Sequence, residues 1–200
     1  MKKATLTIIL ACFTMALAAQ ETIRVNYKGA KPSIVDFAWA YLTPDVADEP
    51  EEDAEATAGV SQALYNYRKG IPQEEGETIT VDEKNGYILF EKKWDDGSMI
   101  RTEMCYWNES DGKHKLFAYS NWYYENGKPG QGQYDCVTFY RYNNATKTMR
   151  HYEDPGFRVD YDHATYSLPR TGKDIIVNKW DKNGKKTQKT LKWNGRKFSF

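Results

Sequence analysis

The chain has 200 residues, with 28 basic against 28 acidic side chains and a mean hydropathy of −0.79, which is one domain's worth of protein with a wet surface. Its 6 Trp, 15 Tyr and 8 Phe exclude disorder over the whole length, and the composition excludes collagen, coiled coil and polytopic membrane protein. Zero net charge argues against a general nucleic-acid binder.

In chain order the first feature is an export signal. Lys2 and Lys3 form a positive start, Ala4 to Ala19 carry no charge, and Ala16-Leu17-Ala18 has the small-x-small form of a cleavage site. The apolar stretch is too short to span a membrane, so residues 1–19 read as a removed signal peptide, and no later run predicts a transmembrane segment. Ile9-Leu10-Ala11-Cys12 offers a rival lipoprotein anchor through Cys12. The short apolar run before it and the apolar Phe13, Met15 and Leu17 after it favour ordinary cleavage. The expected location is therefore the periplasm, the outer surface or the medium.

The mature chain, residues 20–200, reads as a single domain. Glu21 to Tyr27 suits a short leading strand. Ser33 with Asp36 three residues on predicts a capped helix over 33–42, with Ile34, Phe37, Ala38, Tyr41 and Leu42 at helical spacing. The stretch 45–55 holds seven acids and no base and reads as a solvated loop. A second helix is expected over 56–69, ending at Gly70.

From Thr78 the pattern changes to strands, about nine of them, separated by short turns such as Asp95-Asp96-Gly97, Asn126-Gly127 and Asn194-Gly195. The expected fold is mainly β (α+β): an antiparallel meander curling into a barrel or splitting into two packed sheets, with the two N-terminal helices covering one end or face.

Removal of the signal leaves Cys105 and Cys136. An even number in an exported chain predicts one disulfide between them, against the alternative of two buried thiols. Enzyme signatures are absent: there is no G-x-S-x-G, phosphate loop or C-x-x-C. No metal motif or cofactor-binding pattern stands out. His151, Glu153, Asp154, Asp160, Asp162 and His163 form the one histidine-and-acid cluster, and strand alternation could bring His151, Glu153 and His163 together as a metal or acid–base group. His114, beside a turn, reads as surface polarity. Asp181-x-Asn183-Gly184 resembles a fragment of a calcium loop and reads more simply as a hairpin turn.

Charge separation is the sharpest physical feature. Asp36 to Glu55 contains eight acids and no base, whereas Arg170 to Lys197 contains ten bases and two acids, a net of +8. Trp180, Trp193 and Phe198 interleave with those bases. Lys179, Trp180, Lys186, Lys192, Trp193 and Arg196 are therefore the candidate ligand-binding residues, for a glycan or an envelope protein rather than a nucleic acid.

The export signal, the stretch Ser33-Ile34-Val35-Asp36-Phe37-Ala38-Trp39, the acidic segment, the β meander and the closing Leu191-Lys192-Trp193-Asn194-Gly195-Arg196-Lys197-Phe198 together resemble small secreted β-rich proteins of gut Bacteroidota. The resemblance implies the cell envelope or secretion and no particular chemistry. The combined expectation is an exported, non-enzymatic binding or interaction module. The alternatives are a polysaccharide hydrolase or lyase using His151 and nearby acids, or a secreted inhibitor that presents the loop Asn126–Gly132 to another enzyme.

Overall fold

The computed structural model describes residues 22–43, 51–130, 137–160, 164–181, 183 and 185–200, with the backbone alone for 51–58. Helix α1 spans Ile34–Leu42 and helix α2 spans Glu51–Lys69. Ser33 caps α1 reciprocally with Asp36: the Asp36 amide donates to Ser33 Oγ at 3.2 Å, and the Ser33 amide donates to the Asp36 carboxylate at 2.8 Å. Helix α2 starts earlier than the expected residue 56. Its first turns carry Glu51, Glu52, Asp53 and Glu55, and acids there are favoured by the helix dipole rather than being a mark of loop. Residues 44–50, the rest of the expected acidic loop, lie outside the described residues.

Among the described residues twelve strands, one before the helices and eleven after them, form two antiparallel sheets and no closed barrel. The larger sheet contains β1 (Thr22–Arg24), β2 (Glu77–Asp82), β3 (Tyr87–Lys93), β4 (Met99–Asn108), β5 (His114–Glu125), β6 (Lys128–Pro129), β7 (Thr138–Asn143) and β8 (Thr148–His151). Their order is β1-β8-β7-β5-β4-β3-β2, with β6 folded back on β5. The smaller sheet has the order β12-β11-β10-β9, from β9 (Ala164–Ser167), β10 (Ile175–Trp180), β11 (Lys186–Trp193) and β12 (Phe198–Ser199). Beyond the nine expected strands and the leading strand, the structure adds β6 and β9, both short.

The larger sheet is covered on both faces. Along β4, Met104 and Tyr106 turn toward the helices, and Cys105 and Trp107 turn toward the smaller sheet; along β5, Phe117 and Tyr119 oppose Leu116 and Ala118. On the helical side Ile34, Phe37 and Leu64 pack on Ile88, Met104 and Phe117, all fully buried. On the other side Leu116, Phe139 and Trp107 meet Ile175, Leu191 and Phe198. This two-sided burial explains why the central strands are nearly continuous in apolar residues. Among the described residues, no helix is long and apolar enough to cross a membrane.

Two glycines at positive φ show two different demands on the backbone. Asn126 and Gly127, at φ 50° and 74°, make the tight β5–β6 turn. Gly156, at φ 101°, lies so close to β12 that a Cβ there would sit 2.2 Å from the Phe198 carbonyl oxygen. Its loop is pinned by the Phe198 amide donating to the Pro155 carbonyl at 2.8 Å. Gly156→Ala is expected to destabilise the fold by about 3 kcal/mol or more, and Gly127→Ala, with open space around it, by about 1–2 kcal/mol. Urea unfolding of the two variants side by side tests the order.

Candidate functional site

The candidate site is built on the hairpin of β10 and β11. Asp181 shapes its turn, accepting from the amides of Asn183 and Lys185 at 2.9 Å each, so Asp181-x-Asn183 is a turn. The register pairs Trp180 with Lys186, Asn178 with Gln188 and Ile176 with Thr190. At the base Ile175, Val177 and Leu191 are buried. From Lys186 to Thr190 every residue is exposed, so both faces of the distal ribbon meet solvent. Strand β12 pairs with Lys192 and Trp193, and among the described residues no strand pairs with the rest of the outer edge of β11.

The candidate residues divide by face. Trp180, Lys186 and Lys192 share one face, with Lys186 Nζ 5.5 Å from the centre of the Trp180 ring. Arg196 is exposed in the β11–β12 turn. Lys179 lies on the opposite face, where its ammonium pairs with Asp160 at 2.9 Å. Trp193 follows Leu191 inward: its ring packs 4.8 Å from Phe198 and 5.9 Å from Trp107. Its main role is inter-sheet packing. Lys189 Nζ lies 5.4 Å from the ring of Phe200, itself 68% exposed. Gln188 donates to Asn178 Oδ1 at 3.0 Å and Asn178 donates to Thr165 Oγ1 at 3.3 Å, forming a polar ladder across three strands.

Two carboxylate clusters were not singled out in the sequence. In the first, Glu103 is 3% exposed. It accepts from Tyr87 Oη at 3.0 Å, Arg101 Nη2 at 2.8 Å and the Leu168 amide at 2.7 Å, and Arg101 also pairs with Glu91 at 2.6 Å. Burial and the neighbouring Glu103 charge push the Tyr87 phenol far above its usual range. In the second, the ligand atoms of Glu109, Asp111 and His114 lie within 4.8 Å of one another. Arg141 already engages this group: Nε and Nη2 donate to the two Glu109 oxygens at 2.7 and 2.6 Å, and Nη2 lies 3.6 Å from Asp111. The guanidinium thus supplies the positive charge that a cation would bring and satisfies the Glu109 oxygens with hydrogen bonds. The signal for both clusters was a charged residue inside an apolar strand run or directly after one.

The histidine-and-acid cluster raised from the sequence lies only partly within the described residues. Strand β8 ends at His151, so alternation does not carry on to Glu153, and Asp162 and His163 lie outside the described residues. His114 is tied to its own turn, with Nδ1 2.6 Å from Asp111 Oδ2. Cys105 is a buried free thiol, whose pKa burial pushes up; Cys136, its expected disulfide partner, lies outside the described residues. Comparisons with protein-family models, curated proteins and solved structures gave no match.

Two predictions follow from the carboxylates. Glu103→Gln leaves Arg101 its pair with Glu91 but takes the charge from the buried acceptor of Tyr87 and the Leu168 amide and sets an amide N–H against one of these donors, at an expected cost of about 2 kcal/mol in urea unfolding. The His114 bond and the turn amides hold Asp111 down at about 2. A carboxyl depressed on folding contributes stability above its unfolded pKa of about 3.9 and loses it as pH falls toward 2. Asp111→Asn is therefore expected to flatten the stability profile between about pH 5 and pH 2, read by thermal unfolding across that range.

Proposed function

We propose that the chain is an exported, non-enzymatic binding module that holds an anionic glycan on the β10–β11 ribbon. The observation that carries this reading is the exposure of Lys186, Lys189, Lys192 and Arg196, for which the described residues provide no ion-pair partner. Six residues of strand separate Lys186 from Lys192 on one face, about 20 Å, so the row suits an extended polymer. Trp180 adds a flat ring beside Lys186 for stacking against a sugar face. Lysines along the open edge of β11 also discourage pairing with another strand, which favours recognition through side chains. The arginine-engaged states of Glu103 and Glu109 support binding rather than acid–base turnover at those clusters, because both carboxylates already accept charge-assisted bonds. The signal peptide expected over residues 1–19, which lie outside the described residues, and the resemblance to secreted β-rich proteins support an envelope or extracellular location.

Native gels containing a panel of acidic and neutral polysaccharides test the reading. Retardation is expected in acidic polymers and is expected to weaken as salt rises. The triple variant Lys186→Glu, Lys192→Glu, Arg196→Glu is expected to lower affinity about a hundredfold with an unchanged circular dichroism spectrum. Equal migration of parent and variant in every polymer would dismiss the ribbon as the binding surface.

A further inference from the structure

A second basic surface lies on the larger sheet, away from the ribbon. The strand register sets Arg150 of β8 directly opposite Arg141 of β7, and on its other side opposite Thr22 of β1. Arg24 stands two residues along β1, opposite Thr148. Alternation puts these side chains on one face: their neighbours Ile23, Met149, Tyr140 and Tyr142 all pack into the helical core. Arg24 and Arg150 are exposed and Arg141 is half-buried.

A directly opposed pair of like charges in an antiparallel ladder has Cβ atoms about 4.5–5.5 Å apart and is destabilising. The two guanidiniums are drawn in opposite directions. Arg150 Nε donates across to Thr22 Oγ1 at 3.0 Å, on the β1 side. Arg141 turns to Glu109, on the β5 side, through Nε and Nη2. Among the described residues no acid pairs with Arg24 or Arg150, and the Nη atoms of Arg150 and Nη1 of Arg141 carry no hydrogen bond. Edge protection accounts for a cation on β1, the outermost strand. The Glu109 pair accounts for Arg141 on β7, but neither it nor edge protection accounts for a second arginine placed directly opposite on β8.

We propose that Arg141, Arg150 and Arg24 form a binding site for a tetrahedral oxyanion, a sulfate or phosphate group, that lies between the opposed guanidiniums. Arg150 keeps both Nη groups for a forked pair of bonds to such a group, Arg141, whose Nε and Nη2 are held by Glu109, adds Nη1, and a dianion removes the repulsion that the register imposes. The site is carried by the register of the larger sheet, so it stands or falls separately from the ribbon. The group can arrive as a free anion or as an ester on a polymer.

The test uses the purified full-length chain with sodium sulfate and sodium phosphate against sodium chloride at matched ionic strength, followed by calorimetric titration and thermal unfolding. A second arm uses dextran sulfate against neutral dextran. Sulfate or phosphate is expected to bind saturably and to raise Tm beyond the chloride control. Arg150→Gln is expected to weaken this binding about tenfold or more and to raise Tm in anion-free buffer, a gain that a merely solvated arginine would not produce. Arg24→Gln is expected to weaken binding less and leave the anion-free Tm unchanged. The ribbon triple variant is expected to keep the sulfate response, which separates this site from the ribbon. Dextran sulfate binding weakened by Arg150→Gln points to an ester on a polymer, and dextran sulfate binding indifferent to it points to the free anion. A Tm response to sulfate and phosphate equal to that of chloride, or one that persists in both arginine variants, overturns the proposal.

Discussion

The carboxylate of Glu103 lies where the two sheets meet, and the docking of the smaller sheet depends on it. One of its oxygens takes Arg101 and Tyr87 from the larger sheet, and the other takes the Leu168 amide from the segment just after β9. A buried charge without partners would be expensive, so these bonds have to form together. They set the position of β9, and the Ser120 hydroxyl reinforces it by donating to the Tyr166 carbonyl at 2.9 Å. Trp107 adds a third tie, its ring nitrogen donating to the Lys173 carbonyl at 2.8 Å. Apolar packing between sheets is tolerant of sliding, whereas these polar bonds have one register.

The aromatic surplus of the composition has a structural use on both faces of the larger sheet. Phe37 of α1 stands within 6 Å of Tyr106, Phe117 and Tyr142, and Tyr41 of the same helix lies against Phe117, Tyr119 and Tyr140. Across the sheet Phe139, Phe157, Phe198, Trp107 and Trp193 form a second ring cluster. Large rings fill the space between layers with few residues, which suits a chain poor in Leu and Val. The same demand draws Trp193 away from the ribbon surface and leaves Trp180, beyond the edge of the core, beside Lys186.

Basic side chains at the C-terminal end follow a similar rule. Close to the core, cations find acids: Lys179 of β10 with Asp160, Arg170 of the β9–β10 connection with Asp82, and Lys197, just before β12, with Asp154. Where the ribbon runs past the core they face water on both sides. The surface of the ribbon is thus a consequence of strand length, since β10 and β11 extend beyond what β12 covers. The arginine row of β1, β8 and β7 has a different origin, the register of three strands at one edge of the larger sheet, where Arg24 and Arg150 are exposed.

Local chemistry was readable from the chain itself. Ser33 and Asp36 declared a capped helix, Asn126-Gly127 and Asp95-Asp96-Gly97 declared turns, and the runs between turn signals declared β3, β4 and β5 to within a residue or two, because caps and turns are contacts between near neighbours. The start of α2 was not readable, since an acidic run serves a helix N-terminus and a solvated loop equally well. Strand β9 escaped because four residues carry no period of their own, and its place comes from Tyr166 and Leu168 meeting Ser120 and Glu103 some 46 and 65 residues away. Alternation told which residues of β11 share a face, but not which face meets the core or where the core stops. Those outcomes rest on pairings between distant segments, so the inward turn of Trp193, the exposure of Lys186 and the opposition of Arg141 to Arg150 were decided only when the sheets assembled.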